Sequence, residues 1–409
     1  MMTLTVKNIN RALPTTYSNF LTIENLRFGL DSVYSLPEEL KKLRVKKAVI
    51  ISDKGIERVG MVQHVLELVE SAGVQATTFT EIEGEPTFTL LKRAIGFMKE
   101  VESEVIIGIG GGSALDVAKA TAALADKEYI APYLSGEETI SSRSIKCILL
   151  PTTSGTGSEV TMNAIFGDEE QEIKRGIVSK YLLPDLAIID PYLTRSCPPR
   201  VTAASGVDAF THAIESYVSV NATPLTKMYA EKAMKLFSSN ITKAVHNGQN
   251  IESRIGMSWV SVLAGVSLAN AGVGAVHALA YPLGGKYHIE HGIANALLLP
   301  FVFEQVGRTC TEEMVEVAMY LELGDYTTRP HDALKAVVHY LYDLLTTLEL
   351  PTSLAELGIK EDDLPVLAKQ ASQIDRLLVN TPYQLNEKSI LEIYRKAFQG
   401  VLKGGETLC

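Results

Sequence analysis

The pattern of strands and helices changes once along the 409-residue chain, near Asp190 and Pro191. Before that point, short apolar runs alternate with amphipathic segments, and strands are predicted at 46–53, 74–80, 105–109, 145–150 and 186–189. This alternation predicts a parallel sheet wrapped by helices. After it, helical periodicity dominates without a strand pattern, and the first three helices are predicted at 203–219, 225–246 and 253–270. We therefore predict an α/β domain over residues 1–190 and an all-helical domain over residues 191–409.

Composition limits the possible partners and compartments. The net charge is −10 and no strong basic patch is present, which argues against nucleic acid as a partner. The four cysteines form no C-x-x-C pair, so a disulfide framework is not expected and a reducing cytosol is the simplest environment. The first twenty residues contain no apolar core of signal-peptide length. We expect a cytoplasmic protein.

One segment imitates a membrane span. Residues 255–285 contain no charged side chain and are long enough to cross a bilayer. The run is nevertheless rich in Gly, Ala and Ser, and it includes Asn270, His277 and Pro282. Small residues and polar interruptions favour helices buried within a helical domain, so no membrane association is expected.

A glycine-rich turn follows the strand predicted at 105–109. The sequence VIIGIGGGSALDVAK runs from a buried strand through Gly110, Gly111, Gly112 and Ser113 into a helix. Glycines let a backbone approach a phosphate closely, and a helix N-terminus offers free N–H groups to an anion. Ser113 stands where the standard dinucleotide motif has its last glycine, so an ordinary tight turn is the alternative.

Two other polar segments end predicted strands of the same sheet. The loop PTTSGTGSEVT, residues 151–161, supplies hydroxyls and glycines suited to phosphate or ribose. Asp53 ends an early strand, where a carboxylate accepts hydrogen bonds from a ribose and repels a 2′-phosphate. The alternatives are an ordinary Ser/Thr/Gly loop and a helix-capping aspartate.

The helical half contains a possible metal site. Asp208 and His212 are four residues apart, so they share one face of a predicted helix, and His277 and His291 follow. One carboxylate and three imidazoles suit Fe²⁺ or Zn²⁺, and the absence of cysteine argues against a structural zinc. The alternatives are a surface Asp/His pair and core histidines, with His288 as a rival ligand.

These motifs occur together in a recognisable order. GGGS-x-x-D at 110–116, PTTSGTGSE at 151–159, the D-x-x-x-H of GVDAFTHAIE and the H-A-x-A, PLGG and HG elements of 277–292 resemble the iron-containing (group III) alcohol dehydrogenase family. The resemblance covers about residues 24 to 400, and the first twenty or so residues look like an extension.

The resemblance implies a dehydroquinate synthase-like fold with an NAD-binding α/β domain, an all-helical domain and a site in the cleft between them. It implies hydride transfer between NAD(H) and an alcohol/aldehyde pair, with a divalent metal, Fe²⁺ or Zn²⁺. The implied metal ligands are Asp208, His212, His277 and His291. The implied cofactor-binding residues are Asp53, Gly110, Gly111, Gly112, Ser113, Asp116, Thr152, Thr153, Thr156 and Lys174.

The chain departs from the family pattern at two positions. Tyr281 stands where many members have a second histidine, four residues after the third ligand, and is a candidate proton relay or a packing residue. Glu290 stands before the last ligand, where proline is common; it either adds negative charge near the ion or points to solvent.

Two other functions remain open from the sequence. A transhydrogenase or a dehydroquinate-synthase-like lyase shares this fold, but a lyase is expected to bring several basic residues, and Lys286 is the clearest one near the ligand motifs. A non-catalytic binding protein is the other alternative, against which the intact ligand set argues. We expect a small-molecule alcohol or aldehyde as substrate and a homodimer or higher homo-oligomer.

Overall fold

The computed structural model describes residues 19–169 and 173–400. Its centre is a six-stranded, wholly parallel sheet in the order β1-β8-β5-β4-β2-β3, which confirms the predicted α/β fold. All five predicted strands are present in it within two residues of their expected bounds. The strands of this sheet are β1 Leu26–Phe28, β2 Lys47–Asp53, β3 Gln75–Ile82, β4 Val105–Gly110, β5 Lys146–Pro151 and β8 Leu186–Ile189.

Helices cover both faces of the sheet because alternate strand residues point to opposite sides. On β4, Ile106 faces one apolar cluster, while Ile107 and Ile109 face the other. Such two-sided burial explains the near-continuous apolar runs in the sequence. The helices of this half are α1 Leu36–Leu43, α2 Lys54–Arg58, α3 Met61–Ser71, α4 Phe88–Val101, α5 Gly112–Leu124 and α6 Ala131–Ser135.

Three elements of this half differ from the prediction. Residues 56–72 have apolar side chains at helical spacing and are predicted as one helix, but the structure divides them into α2 and α3 at Gly60, which adopts a left-handed conformation with φ 80°. The edge strand β1 was missed because three residues carry too little periodicity. An antiparallel hairpin of β6 (Asn163–Asp168) and β7 (Ile173–Val178) was also missed, since its charged and glycine positions obscure the alternation.

After β8, the described residues form helices joined by loops, with no strand among them, as predicted. The first three long helices are confirmed, and two of them begin earlier than expected because a proline occupies the first helical position. They are α7 Pro199–Val218, α8 Pro224–His246, α9 Ile251–Ala271, α10 Ala275–Tyr287, α11 His291–Val306, α12 Thr311–Tyr320, α13 Pro330–Thr347, α14 Leu364–Ala371, α15 Asp375–Leu378 and α16 Glu387–Gln399.

The uncharged segment at 255–285 forms α9 and α10, which meet at a bend of 101°. Together this bent pair has the length and composition of a membrane span, whereas no single helix of the described ranges has them. Most of α10 is buried, including His277 and Pro282. A domain boundary at residue 190 coincides with the change from β8 to the helices, but it remains a prediction.

Candidate metal and cofactor site

Helix α7 carries the first two predicted metal ligands. Asp208 and His212 lie one turn apart on its buried face, and the distance from Asp208 Oδ1 to His212 Nε2 is 3.7 Å. Both side chains are almost completely inaccessible to solvent. The i, i+4 spacing therefore places both groups at one point, as the sequence indicated.

Helices α10 and α11 bring the other two predicted ligands to the same point. The Nε2 atoms of His277 and His291 lie 3.7 and 3.8 Å from Asp208 Oδ1. One ligand atom from each of the four residues lies within 4.8 Å of the other three, a group that could hold a metal ion. His291 is the first residue of α11 and its side chain remains 30% exposed, so the cluster opens on that side.

Burial sets the protonation states that a metal would require. Burial lowers the pKa of His212 to about 4 and lowers that of His291, so these imidazoles are neutral near pH 7. Burial alone would raise the pKa of Asp208, but the imidazoles and a hydrogen bond from Asn295 lower it. A carboxylate and neutral imidazoles are the ligand forms that divalent metals bind.

The hydrogen bonds around the cluster fit a cation. Within the described residues, the buried Nε2 of His277 has no hydrogen-bond partner, although its Nδ1 lies 2.6 Å from Glu215 Oε2. A buried polar atom without a partner is costly unless a ligand satisfies it. The four side chains therefore fit a divalent transition metal.

Two supporting residues were missed from the sequence. Glu215 also accepts a hydrogen bond from the amide of Val276 at 2.7 Å, which orients the start of α10. Asn295 donates from Nδ2 to Asp208 Oδ1 at 2.7 Å. Glu215 continues the face of Asp208 and His212 by one further turn, so helical spacing held a signal that was not used. Asn295 lies four residues after His291 and offered the same kind of signal.

His288, the rival ligand, and Glu290, the second departure from the family pattern, lie outside the four-residue cluster. His288 is exposed at the C-terminal cap of α10, with φ 54°, and is not part of the four-residue group. Glu290 is exposed and pairs with Arg200 at 3.1 Å. Of the two alternatives for Glu290, the structure favours the one in which it points to solvent.

The glycine turn forms the start of α5. Gly110 has φ 149°, a conformation that favours glycine, and a Cβ there would lie 2.7 Å from Ala114 Cβ and 2.9 Å from Asp53 Oδ2. Gly111 caps α5 without a side-chain hydrogen bond, which leaves the first amides of the helix, those of Gly112 and Ser113, facing outward. This is the arrangement that binds phosphate at a helix N-terminus.

The second loop packs directly on the first. A Cβ on Gly112 would lie 2.6 Å from Thr156 Cγ2, and the amide of Thr152 donates to the Gly110 carbonyl at 2.9 Å. A Cβ on Gly111 would lie 3.5 Å from Thr153 Cγ2, an ordinary van der Waals contact. The hydroxyl of Thr152 is buried without a partner among the described residues. Because β4 and β5 are adjacent and parallel, both loops open at one edge of the sheet.

The position of Asp53 suits both roles considered from the sequence, helix capping and ribose binding. Its Oδ1 accepts the Ile56 amide at 3.0 Å and so caps α2, while Oδ2 faces Gly110. One oxygen thus remains directed at the glycine turn, at the end of β2 next to β4. Capping and ribose binding are therefore compatible at this residue.

Asp116 and a residue missed from the sequence, Lys119, connect the first loop to the second. Asp116 accepts hydrogen bonds from the Ser158 hydroxyl at 2.6 Å and the Ile165 amide at 2.8 Å. The fully buried Lys119 donates to the Ser158 carbonyl at 2.8 Å. Since both oxygens of Asp116 are engaged within the protein, its contribution is to fix the loop.

A cavity of about 400 Å³ joins the two groups of residues. It is lined by the four candidate ligands, by Gly112, Ser113, Asp116 and Thr156, and by Lys174 and Tyr281. Lys174, on β7, pairs with Glu85 at 2.6 Å. The Tyr281 ring lies 6.2 Å from that of His291, and burial raises the pKa of its hydroxyl, which accepts a hydrogen bond from Arg376.

The comparisons with known proteins agree with this architecture. Residues 24–191 match the family model "Iron-containing alcohol dehydrogenase", and residues 202–398 match "Fe-containing alcohol dehydrogenase family, C-terminal". The long-chain-alcohol dehydrogenase 1 of Geobacillus thermodenitrificans is 40% identical, over 91% of this chain and 95% of its own length.

Two solved structures extend the comparison. A crystal structure of 1,3-propanediol oxidoreductase superposes with a TM-score of 0.89 at 32% identity, over 94% of this chain and 100% of that one. The sulfoacetaldehyde reductase of Bifidobacterium kashiwanohense, in complex with NAD⁺, gives a TM-score of 0.83 at 27% identity, over 93% and 99% of the two chains. An α/β sheet facing a His/Asp cluster on helices thus defines a class of oxidoreductases. The chain belongs to the iron-containing alcohol dehydrogenase family, whose members act on alcohols and aldehydes.

Proposed function

We propose that this protein is a metal-dependent, NAD-linked alcohol dehydrogenase that interconverts an aldehyde and a primary alcohol. The observation that carries the proposal is the buried group of Asp208, His212, His277 and His291 at one end of the cavity, with the glycine turn at the other. In the reducing direction, an aldehyde, NADH and one proton give an alcohol and NAD⁺.

The protein's own residues have separate tasks in this reaction. The four ligands would hold a divalent ion, which acts as a Lewis acid on the substrate oxygen. The amides of Gly112 and Ser113, which line the cavity, would bind the cofactor phosphates, and bound nicotinamide would carry the hydride. These positions align the reactants within one cavity closed on its inner side by α7 and α10.

The cofactor preference follows from Asp53. Its Oδ2 faces the glycine turn, where a 2′-phosphate would meet a carboxylate, so NAD is preferred to NADP. The choice between Fe²⁺ and Zn²⁺ is not set by one carboxylate and three imidazoles, which suit both. Homodimerisation or higher assembly and a cytoplasmic location complete the proposal.

The test is turnover of NADH with a panel of aldehydes by protein loaded with Fe²⁺ or Zn²⁺. We expect turnover that chelation abolishes and metal restores, and His277→Ala protein that folds but binds no metal. His288→Ala, on the same segment outside the cluster, is the matched control and retains both properties. Turnover unaffected by exhaustive chelation, or full metal content in His277→Ala, would contradict the proposal.

A further inference from the structure

A second cavity of about 470 Å³ adjoins the metal cleft. It lies between β7, α10 and α15, and three side chains line both cavities: Lys174, Tyr281 and Arg376. These three form the wall between the candidate metal site and the second cavity. Whatever part of a substrate extends away from the metal on this side meets that wall.

Arg376 is the second cation of this wall, beside Lys174. Its Nη2 donates to the Tyr281 hydroxyl at 3.4 Å and would lie 3.3 Å from a Cβ on Gly176. It forms no ion pair within 4.0 Å among the residues that the structure describes. A guanidinium offers five N–H donors and stays charged at all accessible pH values, so most of its binding capacity remains available.

The neighbouring charges already have partners. Lys174 pairs with Glu85 at 2.6 Å, and Arg175 pairs with Asp168 at 2.9 Å. Among the described residues, Asp375 is a further carboxylate that lines the second cavity. Within the part of the chain that the structure describes, Arg376 is therefore the wall cation without a paired carboxylate.

We propose that Arg376 and the Tyr281 hydroxyl bind an oxyanion at the far end of the substrate, so that the preferred substrate is an aldehyde or alcohol that carries a carboxylate or sulfonate group. The inference rests on the proposed function. The guanidinium fork matches the geometry of such oxyanions. Because the Tyr281 oxygen accepts from Arg376, its own proton is available to donate to the same anion.

The spacing also limits the length of the substrate. The Tyr281 ring lies 6.2 Å from the ring of His291, so the anion-binding groups are close to the candidate metal ligands. A substrate whose oxygen reaches those ligands and whose anion reaches Arg376 has only a few carbons between its two ends. Arg376 and Tyr281 thus act together on the far end of the substrate.

The test compares kcat/KM for 4-oxobutanoate with that for 4-methylpentanal, its neutral isostere, and adds 3-oxopropane-1-sulfonate as a sulfonate arm. With metal-loaded enzyme and NADH, we expect kcat/KM for the better anionic aldehyde to exceed that for the neutral aldehyde about ten- to a hundredfold. This is the contribution of a hydrogen bond to a charged group. Arg376→Leu removes this preference, and Arg376→Lys keeps part of it. Arg395→Leu, an exposed arginine on α16, is the matched control and keeps it fully.

Several outcomes would overturn the inference without touching the proposed function. One is an equal kcat/KM for the charged and the neutral aldehyde in the unmodified protein. Another is an equal fall of kcat/KM for both aldehydes in Arg376→Leu. Weaker NADH binding by Arg376→Leu, with the preference intact, would assign Arg376 to the cofactor instead. If Tyr281→Phe lowers kcat equally on all aldehydes, the hydroxyl is a proton relay and not an anion ligand. Failure of every aldehyde, by contrast, would contradict the proposed function itself.

Discussion

Removal of Glu215 tests whether the site depends on a residue that does not touch the metal. Its Oε2 lies 2.6 Å from His277 Nδ1, and its Oε1 accepts the Val276 amide at 2.7 Å. The carboxylate thereby fixes the tautomer of His277 and the start of α10. In Glu215→Ala, a buried ring N–H and a buried amide lose their acceptor, which loosens the ligand that they orient.

The expected magnitude follows from the loss of one hydrogen bond to a charged group. Such a bond contributes about 1.5–3 kcal/mol, and second-layer substitutions at metal sites commonly lower affinity about 10- to 100-fold, which is the same range. Loss of the acceptor for the Val276 amide lowers mainly the free energy of unfolding. We therefore apply the range of about 10- to 100-fold, which comes from the bond to His277, to the Zn²⁺ affinity. Glu215→Gln keeps one acceptor oxygen and should lose less.

The assay is a Zn²⁺ titration in competition with a chromophoric chelator, after the fold has been checked by circular dichroism. Glu231→Ala is the matched control, because Glu231 lies on α8 outside the cluster and pairs with Lys235 at 2.6 Å. We expect its affinity to equal that of the unmodified protein. A well-folded Glu215→Ala protein whose affinity stays within about twofold of the original would refute the reasoning.

Three further predictions concern the cofactor loops and the proton path. Asp53→Asn keeps the cap on α2 but removes a charge, so the NADP-to-NAD ratio of kcat/KM should rise about ten- to a hundredfold. If Tyr281 relays a proton, Tyr281→Phe lowers kcat about ten- to a thousandfold with metal content unchanged. Burial raises the pKa of Glu159 to about 7, so stability falls as pH rises from about 4.5 to 7, by roughly 3 kcal/mol. Urea unfolding at pH 5 and 8 should show that Glu159→Gln lacks this loss.

The structure brings together many of the residues that the sequence singled out, because helical spacing and strand ends are local features. The i, i+4 pair of Asp208 and His212 is determined by one helix, and the glycine turn by one strand–helix junction. His277 and His291 lie on different helices, so their convergence with α7 depends on packing. The family resemblance favoured them over the rival His288, and the structure brings them together with Asp208 and His212.

What could not be predicted depends on contacts between distant segments. Arg376 lies in a four-residue helix, and its neighbours Gly176 and Tyr281 come from β7 and α10, so no spacing in the sequence indicates that they meet. The hairpin of β6 and β7 could not be predicted for a similar reason. Each strand has a weak strand preference, and pairing between the two strands compensates for it. Lys119 has an apolar helical context, and its burial follows from the second loop that it holds.

The distribution of unsatisfied polar atoms shows where the fold gives up stability for binding. In the described residues, nine buried side-chain atoms lack a hydrogen-bond partner, and four belong to the site: His212 Nδ1, His277 Nε2, Asn295 Oδ1 and Thr152 Oγ1. Native interiors normally pair such atoms, since each orphan costs about 1–3 kcal/mol. Two of the four belong to the candidate ligands His212 and His277, the third to Asn295 beside Asp208, and the fourth lies in the second loop. Of these atoms, His277 Nε2 lies 3.7 Å from Asp208 Oδ1 within the candidate metal cluster, where a cation would satisfy it.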